Sequence, residues 1–109
     1  MLQYLMEFRE VTKQAIKLRK FFFKYEIDNY GKNWDINNIA QGFVGDVGDL
    51  MKLIMAKEGL RKIDNIDTKL AHELSDCLLS IIVIADFYKI DLEKAYTKTI
   101  KRIKRLIKK

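Results

Sequence analysis

The sequence predicts an all-α fold, a single bundle of four helices, on three observations. Pro is absent and only five Gly interrupt 109 residues, so little stops a helix once it has begun. Apolar residues recur at three- and four-residue steps in four separate stretches, the periodicity of amphipathic helices. Short polar segments join the stretches, and short connections favour antiparallel neighbours. With 49% hydrophobic and 33% charged residues the composition is that of an ordinary globular chain, of a length that suits one domain over residues 1–109 rather than two.

In the first stretch Tyr4, Phe8, Val11, Ala15, Leu18, Phe22 and Tyr25 carry the helical spacing, which predicts a helix over 2–27. The loop-like run Asp28-Asn29-Tyr30-Gly31-Lys32-Asn33 ends it. Asp35 or Asn37 can cap the second helix, whose inward stripe is Ile39, Phe43, Val47, Leu50 and Ile54, spread over about 80° of the helix circumference. Gly59 supplies its stop. After a polar loop over roughly 58–65, Asp67 is the expected cap of a third helix running to about Lys89. Leu70, Leu74, Cys77, Leu78, Ile81 and Ala85 form one apolar stripe there, while Leu79, Ile82, Val83, Ile84 and Phe87 occupy the other directions. A helix apolar nearly all round is buried on all sides, which in so small a chain calls for a partner subunit. The expected assembly is therefore a homodimer or homotetramer. Asp91 caps the fourth helix, with Leu92, Ala95, Tyr96, Ile100, Ile103 and Ile107 inward and basic residues outward.

Several function classes drop out. One Cys, Cys77, cannot form an internal disulfide and reads as a small core residue in a reducing compartment. The single His, His72, excludes metal sites built on several histidines. Charged residues break up Met1 to Lys20, so no secretory signal is expected there, and the longest apolar run is too short to span a bilayer. The expectation is a cytoplasmic protein with no membrane partner. The net charge of +6 invites a nucleic-acid reading, but residues 92–109 hold eight Lys or Arg and one Glu, leaving the rest of the chain near neutral. Basicity confined to one helix, without interleaved aromatic residues to stack on bases, argues against nucleic acid as the main partner.

The segment Gly45-Asp46-Val47-Gly48-Asp49 suits a helix badly. Two Gly and two Asp give up about 3 kcal/mol of local preference within one element, and such local conflicts are expected at functional sites. Asp46 and Asp49, three apart, point to one side of the second helix, and Glu73 and Asp76 repeat the spacing on the third. In an antiparallel pair the four carboxylates can face one another. Unpaired buried charges are unfavourable by several kcal/mol each and like charges raise one another's pKa. A hard divalent cation resolves both problems, and an all-oxygen ligand set suits Mg²⁺ or Mn²⁺. The competing explanation is four solvated surface acids, or partners for Lys52 and Lys69.

Gly45-Asp46-Val47-Gly48-Asp49-Leu50 followed by His72-Glu73-Leu74-Ser75-Asp76 resembles the paired acidic motifs of the MazG-like, all-α nucleoside triphosphate pyrophosphohydrolases, and Ile90-Asp91-Leu92-Glu93 resembles the start of that family's last helix. The resemblance implies the four-helix fold of the all-α NTP pyrophosphatase type. It implies Mg²⁺-dependent cleavage between the α- and β-phosphates of a nucleoside triphosphate, giving a monophosphate and pyrophosphate. Asp46, Asp49, Glu73 and Asp76 then become the catalytic, metal-holding carboxylates. Two departures stand out: both acids of the first motif are Asp where the family has Glu, and position 45, often Glu in relatives, is Gly. They motivate a rival expectation, a degenerate nucleotide- or metal-binding module. A second rival, a basic helical nucleic-acid-binding protein, rests on the last helix alone.

Three further residues are candidate substrate contacts. Asn33-Trp34-Asp35 resembles the element that stacks on the base in the dCTP pyrophosphatase branch, though a Trp can equally close the end of a bundle. Lys57 and Arg61 follow the second helix, within possible reach of distal phosphates, or stand as solvated loop charges. Gly45 and Gly48 allow either close approach of a ligand or a tight helix crossing.

Overall fold

The structure, a computed structural model, describes residues 7–32 and 34–108. It is all-helical, with α1 (Phe8–Tyr30), α2 (Ile36–Lys57), α3 (Ile66–Phe87) and α4 (Leu92–Ile107). Of the expected first helix, residues 2–6 with Tyr4 lie outside the described residues. At its other end α1 runs past residue 27 to Tyr30, because Asp28 and Asn29 are only weak helix formers and the first true stop is Gly31. That glycine takes the left-handed conformation (φ 73°) and donates its N–H to the Ile27 carbonyl, the usual αL termination.

Asp35 caps α2 as expected. Its carboxylate accepts from the Asn38 N–H at 2.9 Å while the Asn38 side chain accepts from the Asp35 N–H at 3.2 Å. The Gly45–Asp49 stretch stays helical throughout. Gly59 closes the helix at φ 83°, with Leu60 N–H bonded back to the Met55 carbonyl. The expected cap of α3 is corrected: the helix opens at Ile66 behind Asn65 in the left-handed region, which Asn tolerates, with no side-chain cap. Asp67 is instead held by Lys57 in an ion pair of 2.6 Å. At the other end of α3, Lys89 occupies the left-handed position (φ 57°) and Ile90 N–H reaches the Ala85 carbonyl. Asp91 caps α4 by accepting from the Lys94 N–H at 3.0 Å.

The pairing of α2 with α3 is the most extensive in the molecule. It is antiparallel, because Asp49 lies beside Glu73 and Lys57 beside Asp67. α1 packs mainly on α3. The buried residues among those described are Ala15, Cys77, Ile82, Val83 and Ala85. Of the expected inward stripe of α3, Cys77 and Ala85 are buried and Leu70 is half-buried, but Leu74, Leu78 and Ile81 stay exposed, and Ile82 and Val83 go inside instead. On α2, Ile39, Phe43 and Leu50 are half-buried but Val47 and Ile54 are exposed. On α4 only Leu92 and Ile100 of the expected inward set are half-buried, and Ala95, Tyr96, Ile103 and Ile107 are exposed. No helix of the described residues is long and apolar enough to cross a membrane.

Candidate metal centre

The antiparallel register of α2 and α3 decides where the acids meet. Asp46 and Asp49, one turn apart on α2, face Glu73 on α3, and a carboxylate oxygen from each lies within 4.8 Å of the other two. Asp46 and Glu73 are half-buried and Asp49 is exposed, so the cluster opens to solvent on one side. Glu73 Oε1 is buried and has no hydrogen-bond donor. Burial pushes the Glu73 carboxyl above its ordinary range. The charge of Asp46 and its ability to share a proton push it further, and Asp49 and Asp76 add to the effect. Three converging acids and a buried lone pair without a donor form an environment short of positive charge.

Asp76, the fourth expected member, stands beside this trio rather than in it. Its Oδ2 lies 3.3 Å from His72 Nε2, one turn back along α3, and it acts on Glu73 through its charge. Cys77 lies behind the cluster as a core residue. Burial, then the charges of Asp46, Glu73 and Asp76, hold its thiol above the usual range.

The donor set tests well against a hard cation. Oxygens around Mg²⁺ at 2.0–2.1 Å sit about 3–4 Å apart, so modest side-chain rotations bring the three carboxylates to ligand spacing. Cys77 and His72, the softer ligands nearby, point to other tasks, leaving an all-oxygen set suited to Mg²⁺ or Mn²⁺.

Next to Asp46 a cavity of about 290 Å³ runs between α1, α2 and α3, walled by Leu18, Phe22, Trp34, Ile39, Leu79 and Val83. Trp34 is set by residues that the sequence pattern does not single out. Glu26 accepts the Trp34 N–H at 2.7 Å, and Arg19 donates to the Trp34 carbonyl at 3.0 Å. Arg19 and Glu26 also pair with each other at 2.8 and 3.4 Å, and Arg19, then the Trp34 N–H, draws the Glu26 carboxyl below its ordinary value against its burial. The one available signal was a charged pair seven residues apart, two turns along the apolar side of α1. Across from the ring lies Gly42, where an added Cβ would sit 3.3 Å from Trp34 Cζ3.

Lys57 and Arg61 are not brought to the acids. Lys57 lies about 12 Å along α2 from Asp49, by the helical rise, and is engaged with Asp67, which raises its pKa. Arg61 is exposed in the turn beyond. Gly45 and Gly48 line no tight crossing: both are exposed and a Cβ at either meets nothing within 4 Å.

No family model, no curated protein and no solved structure matches the chain.

Proposed function

We propose that the chain is a cytoplasmic, Mg²⁺-dependent nucleoside triphosphate pyrophosphohydrolase of the MazG-like type, with Mn²⁺ also serving, acting as a homodimer or homotetramer. The observation that carries this reading is the convergence of Asp46, Asp49 and Glu73 around a buried Glu73 oxygen that has no donor. The order and spacing of the two acidic motifs support it from the sequence side. Asp46, Asp49 and Glu73 hold the cation, with Asp76 as a fourth carboxylate that a turn of its side chain away from His72 brings in. A cation held by these carboxylates would supply charge neutralisation for the phosphates and would lower the pKa of a water. The neighbouring cavity takes the base, with Trp34 offering its ring and the Arg19–Glu26 pair keeping Trp34 in place. Asp46 stands between the cavity and the acids, so a base in the cavity directs its phosphates toward the cluster.

A second reading has an observation of its own. A groove of about 700 Å³ between α1 and α4 is walled by Arg9 and Lys13 on one side and Lys94, Lys98 and Lys101 on the other, with Asp86, Asp91 and Glu93 also in its lining and Glu93 paired with Arg9 at 3.4 Å. Cations on both walls favour a polyanion such as a nucleic-acid backbone.

The deciding experiment incubates the chain with a panel of canonical and modified nucleoside triphosphates plus Mg²⁺ and measures pyrophosphate release. Release that is lost in Asp49→Asn and Glu73→Gln is the expected result. No release on any substrate sinks the enzymatic reading and leaves the degenerate binding module, while full activity in both variants sinks the site. Salt-sensitive nucleic-acid binding that disappears with Lys98→Glu favours the basic groove.

A further inference from the structure

We infer that α4 lies along an anionic lipid surface, with its apolar arc in the headgroup boundary and its cations against the lipid phosphates. The first argument is the order of residues round the helix. The apolar side chains from Leu92 to Ile107 fall within about 140° of the circumference, with only Thr99 among them. Every charged residue from Glu93 to Lys108 lies within about 180° of the remainder; seven of these are Lys or Arg and one is Glu. A solvated helix of a soluble bundle carries both signs interspersed. Complete separation of an apolar arc from a cationic one is the pattern of a helix that lies in a membrane interface.

The second argument is that the described residues leave most of that arc uncovered. The extensive helix pairings are α2 with α3 and α1 with α3, and α4 has none of comparable extent. Only Leu92, Glu93 and Ile100 of α4 are half-buried, and residues 101–108 are exposed throughout. Leu106 is 62% exposed, Tyr96 63% and Ile107 76%. Past its first two residues, α4 lines the groove toward α1 with Lys94, Thr97, Lys98 and Lys101. All four belong to the cationic side, so the apolar arc is turned away from α1. Helices draw most of their stability in proteins from packing an apolar face, and this face has open space before it.

The occupant follows from charge. An anionic bilayer presents an apolar boundary beside a layer of phosphates, and so matches both arcs at once. A nucleic-acid backbone matches the cations alone, and α4 laid on α4 of a second copy sets two rows of cations beside each other. The rest of the chain is near neutral, so the attraction is confined to α4 and fixes which side meets the surface. The sequence argues against a membrane partner from the lack of a spanning segment, and a helix lying on the surface needs none. A cytoplasmic chain meets this charge on the inner leaflet.

The test reads partition rather than turnover, so it stands apart from the enzymatic reading. The full chain is sedimented with vesicles of one part phosphatidylserine to two parts phosphatidylcholine, and with phosphatidylcholine alone. Pelleting with the mixed vesicles, about tenfold weaker on phosphatidylcholine and weaker again at high salt, is the expected result. Lys104→Gln with Arg105→Gln is expected to lower the partition about 25-fold, at about fivefold per cation near the surface. Leu106→Gln with Ile107→Gln is expected to lower it about tenfold. These four side chains are exposed, so the variants keep the helix, which circular dichroism checks, and the wild-type comparison of lipids needs no variant. No pelleting with the mixed vesicles overturns the inference, as does equal pelleting with phosphatidylcholine. Binding that needs the cations but survives Leu106→Gln with Ile107→Gln overturns it too, and marks α4 as a binder of polyanions such as nucleic acid. If that apolar pair of changes lowers the mass in light scattering and leaves pelleting intact, a second copy covers the arc and the inference fails.

Discussion

Replacing Gly45 and Gly48 by Ala is expected to stabilise the chain, although both sit in the acidic segment. Each lies in mid-α2, exposed, and a Cβ at either position meets nothing within 4 Å. Neither has a positive φ; among the described glycines that conformation belongs to Gly31 and Gly59. What remains is helix propensity, about 0.8–1 kcal/mol per site, or about 1.6–2 kcal/mol for the pair, which share no partner. An unfolding entropy of about 2.1 cal/mol/K per residue gives about 0.23 kcal/mol/K for a chain of this length, so the double variant should melt about 7–9 °C higher. The assay is a circular-dichroism melt at one chain concentration in EDTA, because association and cation binding both raise Tm. Gly42→Ala is the internal contrast: its Cβ lies 3.3 Å from Trp34 Cζ3, so the ring must shift and the gain should be smaller. If Gly45→Ala or Gly48→Ala melts below wild type, the reasoning fails, since something then packs where the single chain has open space.

Glu73 binds its proton more tightly folded than at the ordinary value of 4.5, so in EDTA its contribution to stability is present below that value and is lost as pH rises through the folded pKa. Glu73→Gln should flatten that loss in pH-dependent melts and remove the Mg²⁺-induced rise in Tm, about 12 °C at a hundred times Kd; a wild type indifferent to Mg²⁺ would contradict the metal centre. Glu26→Ala leaves the Trp34 N–H and Arg19 without their acceptor, which should lower stability by about 1–2 kcal/mol and shift the emission of the chain's single Trp. Unchanged emission and Tm would refute the clamp. Glu26's lowered pKa has the opposite sign to Glu73's: its contribution is present above the ordinary value and is lost as pH falls through the folded one.

The reach of the sequence can be judged residue by residue. Asp35 and Asp91 announced their helices, because a capping side chain acts within three residues of itself and needs no distant partner. Asp67 misled for the converse reason: its carboxylate could cap locally, but a lysine ten residues earlier in the chain holds it. The α1 boundary moved to Tyr30 because three weak formers do not stop a helix that a left-handed Gly31 can end cleanly. In the candidate site, i, i+3 spacing was enough to put Asp46 with Asp49 on one side of α2. It was also enough to pair Glu73 with Asp76, but not to foresee that Asp76 would lie beside His72 and outside the trio. The Arg19–Glu26 clamp on Trp34 was out of reach, since it joins α1 to the backbone of a loop.

By itself the sequence determined four helices, their order, two of their caps and the pairing of acids along each helix. All of these are set by interactions spanning one or two turns. The tertiary structure decided which side of α3 is inside, because apolar residues cover most of its circumference and periodicity cannot choose among them; Ile82 and Val83, on the side of α3 near α1, are buried. It also decided that three acids, not four, converge, and that Glu73 Oε1 is the oxygen left without a donor. The register between two antiparallel helices is a property of their packing, and neither helix encodes it alone.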